Sequence, residues 1–486
     1  MQIHVNSGDL REVPELLSAN VRADYVYSYP PRQAYRRLSN DDRNSLREDI
    51  QSSLGRSDDL NVYVHVPFCH QICSFCNLYA TVHSSGRNID EEYVESVLKE
   101  MNLYEPLMDR KIINTLYIGG GTPSLLDASL IERMIVSILE ALSRTPNAIP
   151  AETALEVDPA TVDDIKLRDL RNAGINRINL GYQSMMDLEV TRIGRKRPGT
   201  AGLGLLEDAL NVGFDNVCVD LIYGLQGQTH QSWIESLSQV VKIGPPTICA
   251  YALTLRPLTG YHKRGYQHVD GTTLHERYHL ANDILCSAGY RRETHVRWVR
   301  DQGGYRQKVN HWSLQNVLGV GAGARSYLWH SDLRNGYSIR SRNATLQRYM
   351  SSISQGEIPA TDRFTMSSDE RMRKAVVLNV GRLDRTWFSD LFGIDPIEAF
   401  PTQFKFLQSL GAFAITDSTI ELDDEFSGHR DLISQCFFSE RVSRQIQEFD
   451  YDELQANRVR FRDLTSGTAG QVCREVARNV LSIDGR

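Results

Sequence analysis

From residue 62 onward, short apolar runs alternate with segments in which apolar residues recur every three or four positions. Six runs read as strands: Val62 to Phe68, Thr115 to Ile118, Ala154 to Val157, Arg177 to Gly181, Asn216 to Tyr223 and Thr247 to Leu255. Between the first two lies an amphipathic stretch with Asp90 as its expected N-cap and Val94, Val97, Leu98 and Met101 on one stripe. A second helix is expected from Thr161, as capping residue, to Gly174. Strands alternating with helices predict an α/β fold with a parallel sheet, specifically a partial (β/α)6 barrel. Beyond about residue 365, helices precede a hairpin, Ala412 to Leu422, that turns at Asp417-Ser418. The expected organisation is an N-terminal lid or strap (1–55), a core barrel with its extension (56–330), a helical, winged-helix-like accessory domain (331–440) and a tail (441–486). The tail is polar and weakly periodic, and its pattern leaves its order open.

Composition narrows the class. The chain has 486 residues and a formal charge of -7, with a pI near 6.0 and mean hydropathy of -0.36. That balance lacks the basic signature of a nucleic-acid binder. No stretch of eighteen apolar residues occurs, and the first ten residues lack the charged and apolar regions of a signal peptide. A cytoplasmic protein with no membrane partner is expected, and its cysteines are expected to stay reduced.

The residues just past each strand carry the chemistry, because ligand sites in such sheets lie at the carboxyl ends. The first strand runs into Cys69, Cys73 and Cys76, three of eight cysteines in the chain. Soft thiolates at this spacing suit an iron-sulfur cluster with one open iron. The alternative is zinc, which needs a fourth ligand that His65 or His70 would supply locally. Cys218, Cys249, Cys286, Cys436 and Cys473 are scattered singly through apolar contexts and read as ordinary thiols. The second strand ends in Gly119-Gly-Gly-Thr-Pro123, which lacks the third spaced glycine of a dinucleotide fingerprint. Its glycines would let the backbone approach an amino-acid head group, or would simply make a tight turn. Glu156 and Asp158, Gln183 and Asp220 close the next three strands.

Cys69-x3-Cys73-x2-Cys76 together with Gly-Gly-Gly-Thr-Pro resembles the radical S-adenosylmethionine (SAM) superfamily. Tyr63-Val-His-Val-Pro-Phe-Cys69, Leu155-Glu-Val-Asp-Pro159, Asn176 to Gln183 and Val219 to Leu225 resemble its HemN-like branch. The resemblance runs from about residue 60 to 330 and resumes in the C-terminal domain. It implies a 4Fe-4S cluster on Cys69, Cys73 and Cys76, two SAM molecules and an electron donor of flavodoxin or ferredoxin type. The implied catalytic set is the three cysteines and Tyr63. Tyr63, Gly120, Glu156 and Ala252 would contact one SAM, and Phe75, Gly121, Thr122, Gln183, Arg195 and Asp220 the other. Asn310-His-Trp312 and Leu318 to Ser326 are similar to a second stretch of the family near the substrate, where Arg325 would hold an anionic or carbonyl-bearing molecule. Tyr25, Tyr27, Tyr29 and Tyr35 resemble the branch's tyrosine-rich N-terminal segment and offer flat contact area to an aromatic or unsaturated substrate.

One departure steers the functional expectation. Coproporphyrinogen dehydrogenase, the parent of the branch, has a further cysteine where this chain has Leu78. The chain is therefore most similar to class C radical SAM methyltransferases and cyclopropanases of natural-product biosynthesis. These would use a 5'-deoxyadenosyl radical and a SAM-methylene radical to methylate or cyclopropanate an sp2 carbon. The alternatives are a tetrapyrrole-acting enzyme, whether porphyrin decarboxylase or haem-opening methyltransferase, and a non-catalytic haem chaperone.

Overall fold

Six parallel strands form where the apolar runs fall: β1 (Asp59–Val66), β2 (Ile112–Gly120), β3 (Glu152–Val157), β4 (Arg177–Gln183), β5 (Asn216–Tyr223) and β6 (Thr247–Ala252). They pair in sequence order, as right-handed strand-helix-strand connections require. The computed structural model describes residues 10–20, 25–83, 87–195, 202–267, 269–338 and 341–449. Residues 1–445 form one compact unit and 446–486 a second, of which only 446–449 are described. The expected tail thus lies largely outside the described residues.

One face of each strand packs outward on helices and the other lines the lumen. Val62, Val64, Leu116, Ile118, Leu155, Ile178, Leu180, Val219 and Ile248 are fully buried on the helix side, each contributing about 1.5–3 kcal/mol. Helix α1 (Arg87–Tyr104) covers them with Val94, Val97 and Met101, and α2 (Ala128–Leu142) with Ile131, Met134 and Ile138. Two expected caps move. Asp90 lies inside α1 and accepts from His83 Nε2 at 2.8 Å. Asp163, which accepts from Lys166 N, caps α3 (Asp164–Asn172), and Thr161 ends a preceding 3-10 turn.

The sheet extends beyond the six strands on both sides. Antiparallel β7 (Arg291–Thr294) and β8 (Arg297–Val299) follow β6. On the other side β9 (Val317–Val320) runs parallel to β1, followed by antiparallel β10 (Arg325–Tyr327), β11 (Ser331–Asn335) and β12 (Ala360–Thr365). Between β8 and β9, helix α4 (Arg306–Trp312) packs on β2 and bonds into the lumen through Asn310 Nδ2, 2.8 Å from Asn61 Oδ1.

The N-terminal segment joins this barrel to the C-terminal domain. Tyr29 donates to Glu370 on α5 (Ser368–Leu378) at 2.5 Å and accepts from Ser439 N at 3.1 Å. Val26 is held through both backbone groups, by Asp431 at 3.0 Å and Arg430 at 2.9 Å. Beyond α5 a three-stranded sheet, β13 (Arg382–Asp384), β14 (Phe413–Ile415) and β15 (Thr419–Leu422), has β15 in the middle. Its β14-β15 hairpin turns over residues 416–418, where the pattern placed the turn.

Candidate functional site

Register levels the carboxyl ends of β1 and β2, with Val66 opposite Gly120. That brings the cysteine segment onto the Gly-Gly-Gly-Thr-Pro turn. Gly121 N donates to Val66 O at 2.8 Å, Thr122 N to Phe68 O at 2.6 Å, and Thr122 Oγ1 approaches Cys69 Sγ at 3.4 Å. Both later glycines are dictated by space. A Cβ at Gly121 would lie 2.6 Å from Phe68 O, and one at Gly120, where φ is +115°, would lie 2.6 Å from the His65 ring. The cysteine loop is pinned elsewhere as well. Ser74 N bonds Ile193 O at 2.9 Å, Tyr261 N bonds Ser74 O at 2.8 Å, and Cys69 O accepts from His83 N at 2.8 Å.

The three loop thiols are free cysteines. Burial pushes the Cys69 thiol up to about 12 and the Cys76 thiol up to about 11, with the neighbouring cysteines adding to both. Such a donor set binds where incoming cations replace its protons. Neither histidine completes a zinc site. His65 Nε2 donates to Tyr79 O at 2.8 Å and Nδ1 accepts from Tyr63 OH at 3.0 Å, while His70 is exposed. Nor do the three thiols converge as ligands of one ion would, since the only such convergence among the described residues is elsewhere, at Cys218, Asp220 and Cys249. A three-thiol loop over a glycine turn fits the larger 4Fe-4S cluster.

Several expected rim residues meet beside this loop. Tyr63 stacks on Tyr117 at 6.0 Å, and Tyr117 OH donates to Glu156 Oε1 at 2.9 Å. Gly120 N donates to Glu156 Oε2 at 2.8 Å, and burial raises the Glu156 pKa. Arg195 reaches Cys73, donates to Gly181 O and lies 3.5 Å from Asp158, while its Nε is buried without a partner. Gln183 takes a left-handed φ of +69° where the β4-β5 ladder slips by one residue, a strained conformation of the kind concentrated at ligand sites. Phe75 packs among Ile193, Ile222, Leu225, Leu253 and Tyr261. Ala252 ends β6, half-buried. Asp220 accepts from Cys218, Cys249 and Asn179, and burial raises its pKa.

Arg325 contacts the strap, and its charge is also felt at His65 beside the rim. It donates to Tyr27 OH and lies over the Tyr27 and Tyr35 rings at 5.2 and 5.9 Å. Beside it is a residue the sequence did not single out. Lys308 donates to Tyr27 O at 2.8 Å and lies 5.6 Å from the Trp312 ring. Burial, with Arg297 and Arg430 nearby, pushes the Lys308 ammonium down to about 7. Tyr25 meets Tyr251 of β6 edge-on at 6.0 Å, which carries the strap to the lumen. Tyr305, stacked on Tyr117 at 5.3 Å and under the Arg177 guanidinium at 4.3 Å, was also unmarked. The nearest signal in the sequence is Asn310-His-Trp312, which shares α4 with Lys308.

The family model of the radical SAM superfamily matches residues 63–240. The heme chaperone HemW of Lactococcus lactis is 30% identical over 272 residues, covering 55% of this chain and 69% of the relative. HemW of Escherichia coli is 27% identical over 308 residues, covering 63% and 80%. Among solved structures, the Escherichia coli coproporphyrinogen III oxidase HemN superposes with a TM-score of 0.70 at 21% identity, covering 88% of this chain and 98% of that one. That likeness is one of fold. Among the described residues no helix is long and apolar enough to cross a membrane.

These relatives overturn the expectation of a methyltransferase or cyclopropanase acting on a natural-product intermediate, since they carry the name of haem chaperones. The error has a plain cause. Leu78 removes a feature of the decarboxylase but says nothing positive for carbon transfer, and its side chain is half exposed. With its three-thiol loop over a glycine turn at the mouth of a six-stranded parallel barrel, the chain belongs to the HemN-like branch of the radical SAM superfamily and works with a 4Fe-4S cluster and SAM.

Proposed function

We propose that this chain is a haem-handling radical SAM protein that seats a tetrapyrrole beneath its N-terminal strap. The observation that carries the reading is a pair of cations, Lys308 and Arg325, set on either part of Tyr27. Among the described residues no carboxylate lies within ion-pair distance of either. Enclosing two like charges without a counter-charge is costly, and a ligand bearing two carboxylates offsets that cost. Haem carries two propionates on a flat aromatic ring. Tyr25, Tyr27, Tyr35, Tyr327 and Trp312 supply rigid aromatic surface around the cations.

In this reading Cys69, Cys73 and Cys76 hold the cluster, which when bound supplies the electron that cleaves SAM. Glu156, fixed by Gly120 N and Tyr117, and Tyr63, fixed by His65, orient the SAM nearest the loop. Phe75, Gly121, Thr122, Gln183, Arg195, Asp220 and Ala252 complete the two contact sets inferred from the resemblance. The strap excludes water from the lumen through Tyr25 and Tyr27. Haem delivery is the reading that the relatives' names support. Turnover of the bound tetrapyrrole is the second, favoured by the fully built thiol loop and Glu156 rim.

The test is anaerobic titration of haemin into the full-length reconstituted protein, with SAM and reductant added afterwards. Stoichiometric uptake with no 5'-deoxyadenosine supports delivery, and haem-dependent 5'-deoxyadenosine supports turnover. Absence of saturable haem uptake would remove both.

A further inference from the structure

Two cysteines that read as ordinary buried thiols come together in the lumen. Cys218 on β5 and Cys249 on β6 are 0% and 1% exposed, and their Sγ atoms are 3.7 Å apart. Asp220 stands opposite Cys249 in the ladder, and its Oδ1 lies 3.7 Å from Cys218 Sγ. All three donor atoms lie within 4.8 Å of one another. Asn179 on β4 is paired with Cys218 on the other side, and its Oδ1 is buried with no hydrogen-bond donor.

We propose that Cys218, Cys249 and Asp220, completed by Asn179 Oδ1, form a tetrahedral site for a zinc-class divalent ion. Thiolates held at about 2.3 Å from a tetrahedral ion stand about 3.8 Å apart, which matches the observed separation. Two sulfurs and two oxygens are a donor set that borderline-soft divalent ions accept. A pair of protonated thiols resting on a carboxylate would give a similar separation but leaves two other groups unexplained. One is the Asn179 carbonyl. The other is Arg177, 1% exposed, whose Nη1 and Nη2 are buried with no acceptor although its charge is felt at Asp220 and Cys218.

A bound ion accounts for both. It gives Asn179 Oδ1 a partner, and it turns the thiols into thiolates, which accept from Arg177 where thiols do so poorly. Binding is a proton exchange without redox change, in which each thiol gives its proton to solvent as a metal-sulfur bond forms. Only one Asp220 oxygen is required, so the other stays available to SAM.

The site is separable from the cluster loop. In a full-length variant with Cys69, Cys73 and Cys76 all changed to Ser, cobalt(II) added under nitrogen should bind one per chain. It should show thiolate charge transfer and the intense visible bands of tetrahedral cobalt, and zinc should bleach them. Cys218→Ser and Cys249→Ser, each added to that background, should abolish the bands while far-UV circular dichroism stays unchanged. As a second check on folding, each substitution made alone should still allow the iron-sulfur absorption to reconstitute. Absence of tetrahedral bands in the folded triple variant, or their survival after either further substitution, would overturn the site.

Discussion

At the scale of single residues, Lys308 is the most informative group in the molecule. Its ammonium is pushed from an ordinary 10.5 to about 7 by burial, with Arg297 and Arg430 adding repulsion. Between those values the folded chain binds fewer protons here than the unfolded chain does, so this residue makes stability rise with pH from about 7 to about 10. Lys308→Met should flatten that rise, measured as the difference between wild-type and variant denaturation midpoints across the range. Haem binding should respond with the opposite sign. A propionate on Lys308 restores its proton, so affinity should fall as pH climbs above 7, and the variant should lose this dependence. Each of Lys308→Met and Arg325→Gln should weaken haem binding ten-fold or more, since a charge-assisted hydrogen bond contributes about 1.5–3 kcal/mol. Cys73→Ala should abolish the broad visible absorption of the reconstituted cluster, and a full iron complement in that variant would contradict the ligand assignment.

At the scale of elements, the thiol loop and the strap are held in different ways. The loop is shaped by the glycine turn. Gly121→Ala places a methyl against Phe68 O and the Pro67 carbonyl carbon, backbone that cannot rotate away. The expected cost is about 1–3 kcal/mol, with iron content lost before the barrel unfolds. The strap is held by polar ties at Val26 and Tyr29. Tyr29→Phe leaves Glu370 Oε2 and Ser439 N without their shared hydroxyl and should destabilise the chain by about 1–3 kcal/mol. Protease accessibility of the N-terminal segment, compared with that of the barrel, reads where the loss falls.

For the whole molecule, legibility tracked periodicity. All six strands and the late hairpin were found because buried parallel strands are continuous apolar runs, with boundaries displaced by up to three residues where Asp59 or Ile112 still pairs. The cluster loop and glycine turn were legible because their spacing is local. Residues that act by convergence were not. Lys308, Tyr305 and Arg177 come from α4, the loop before it and β4, and nothing in their neighbours' sequence says that they meet Tyr27, Tyr117 and Asp220. Cys218 and Cys249 are 31 residues apart and become a pair only through the β5-β6 register. The functional error had the same origin. Leu78 taken alone is a local signal, while the unmatched cations under the strap, visible only after folding, point to a dicarboxylate.

Retention of a tetrapyrrole by its carboxylates on Lys308 and Arg325 is read by comparing haemin with its dimethyl ester in equilibrium titrations of wild-type and the Lys308→Met, Arg325→Gln double variant. Wild-type protein should bind haemin at least ten-fold more tightly than the ester, and the double variant should bind the two alike. Equal affinity of wild-type protein for haemin and its ester would rule out carboxylate recognition by Lys308 and Arg325.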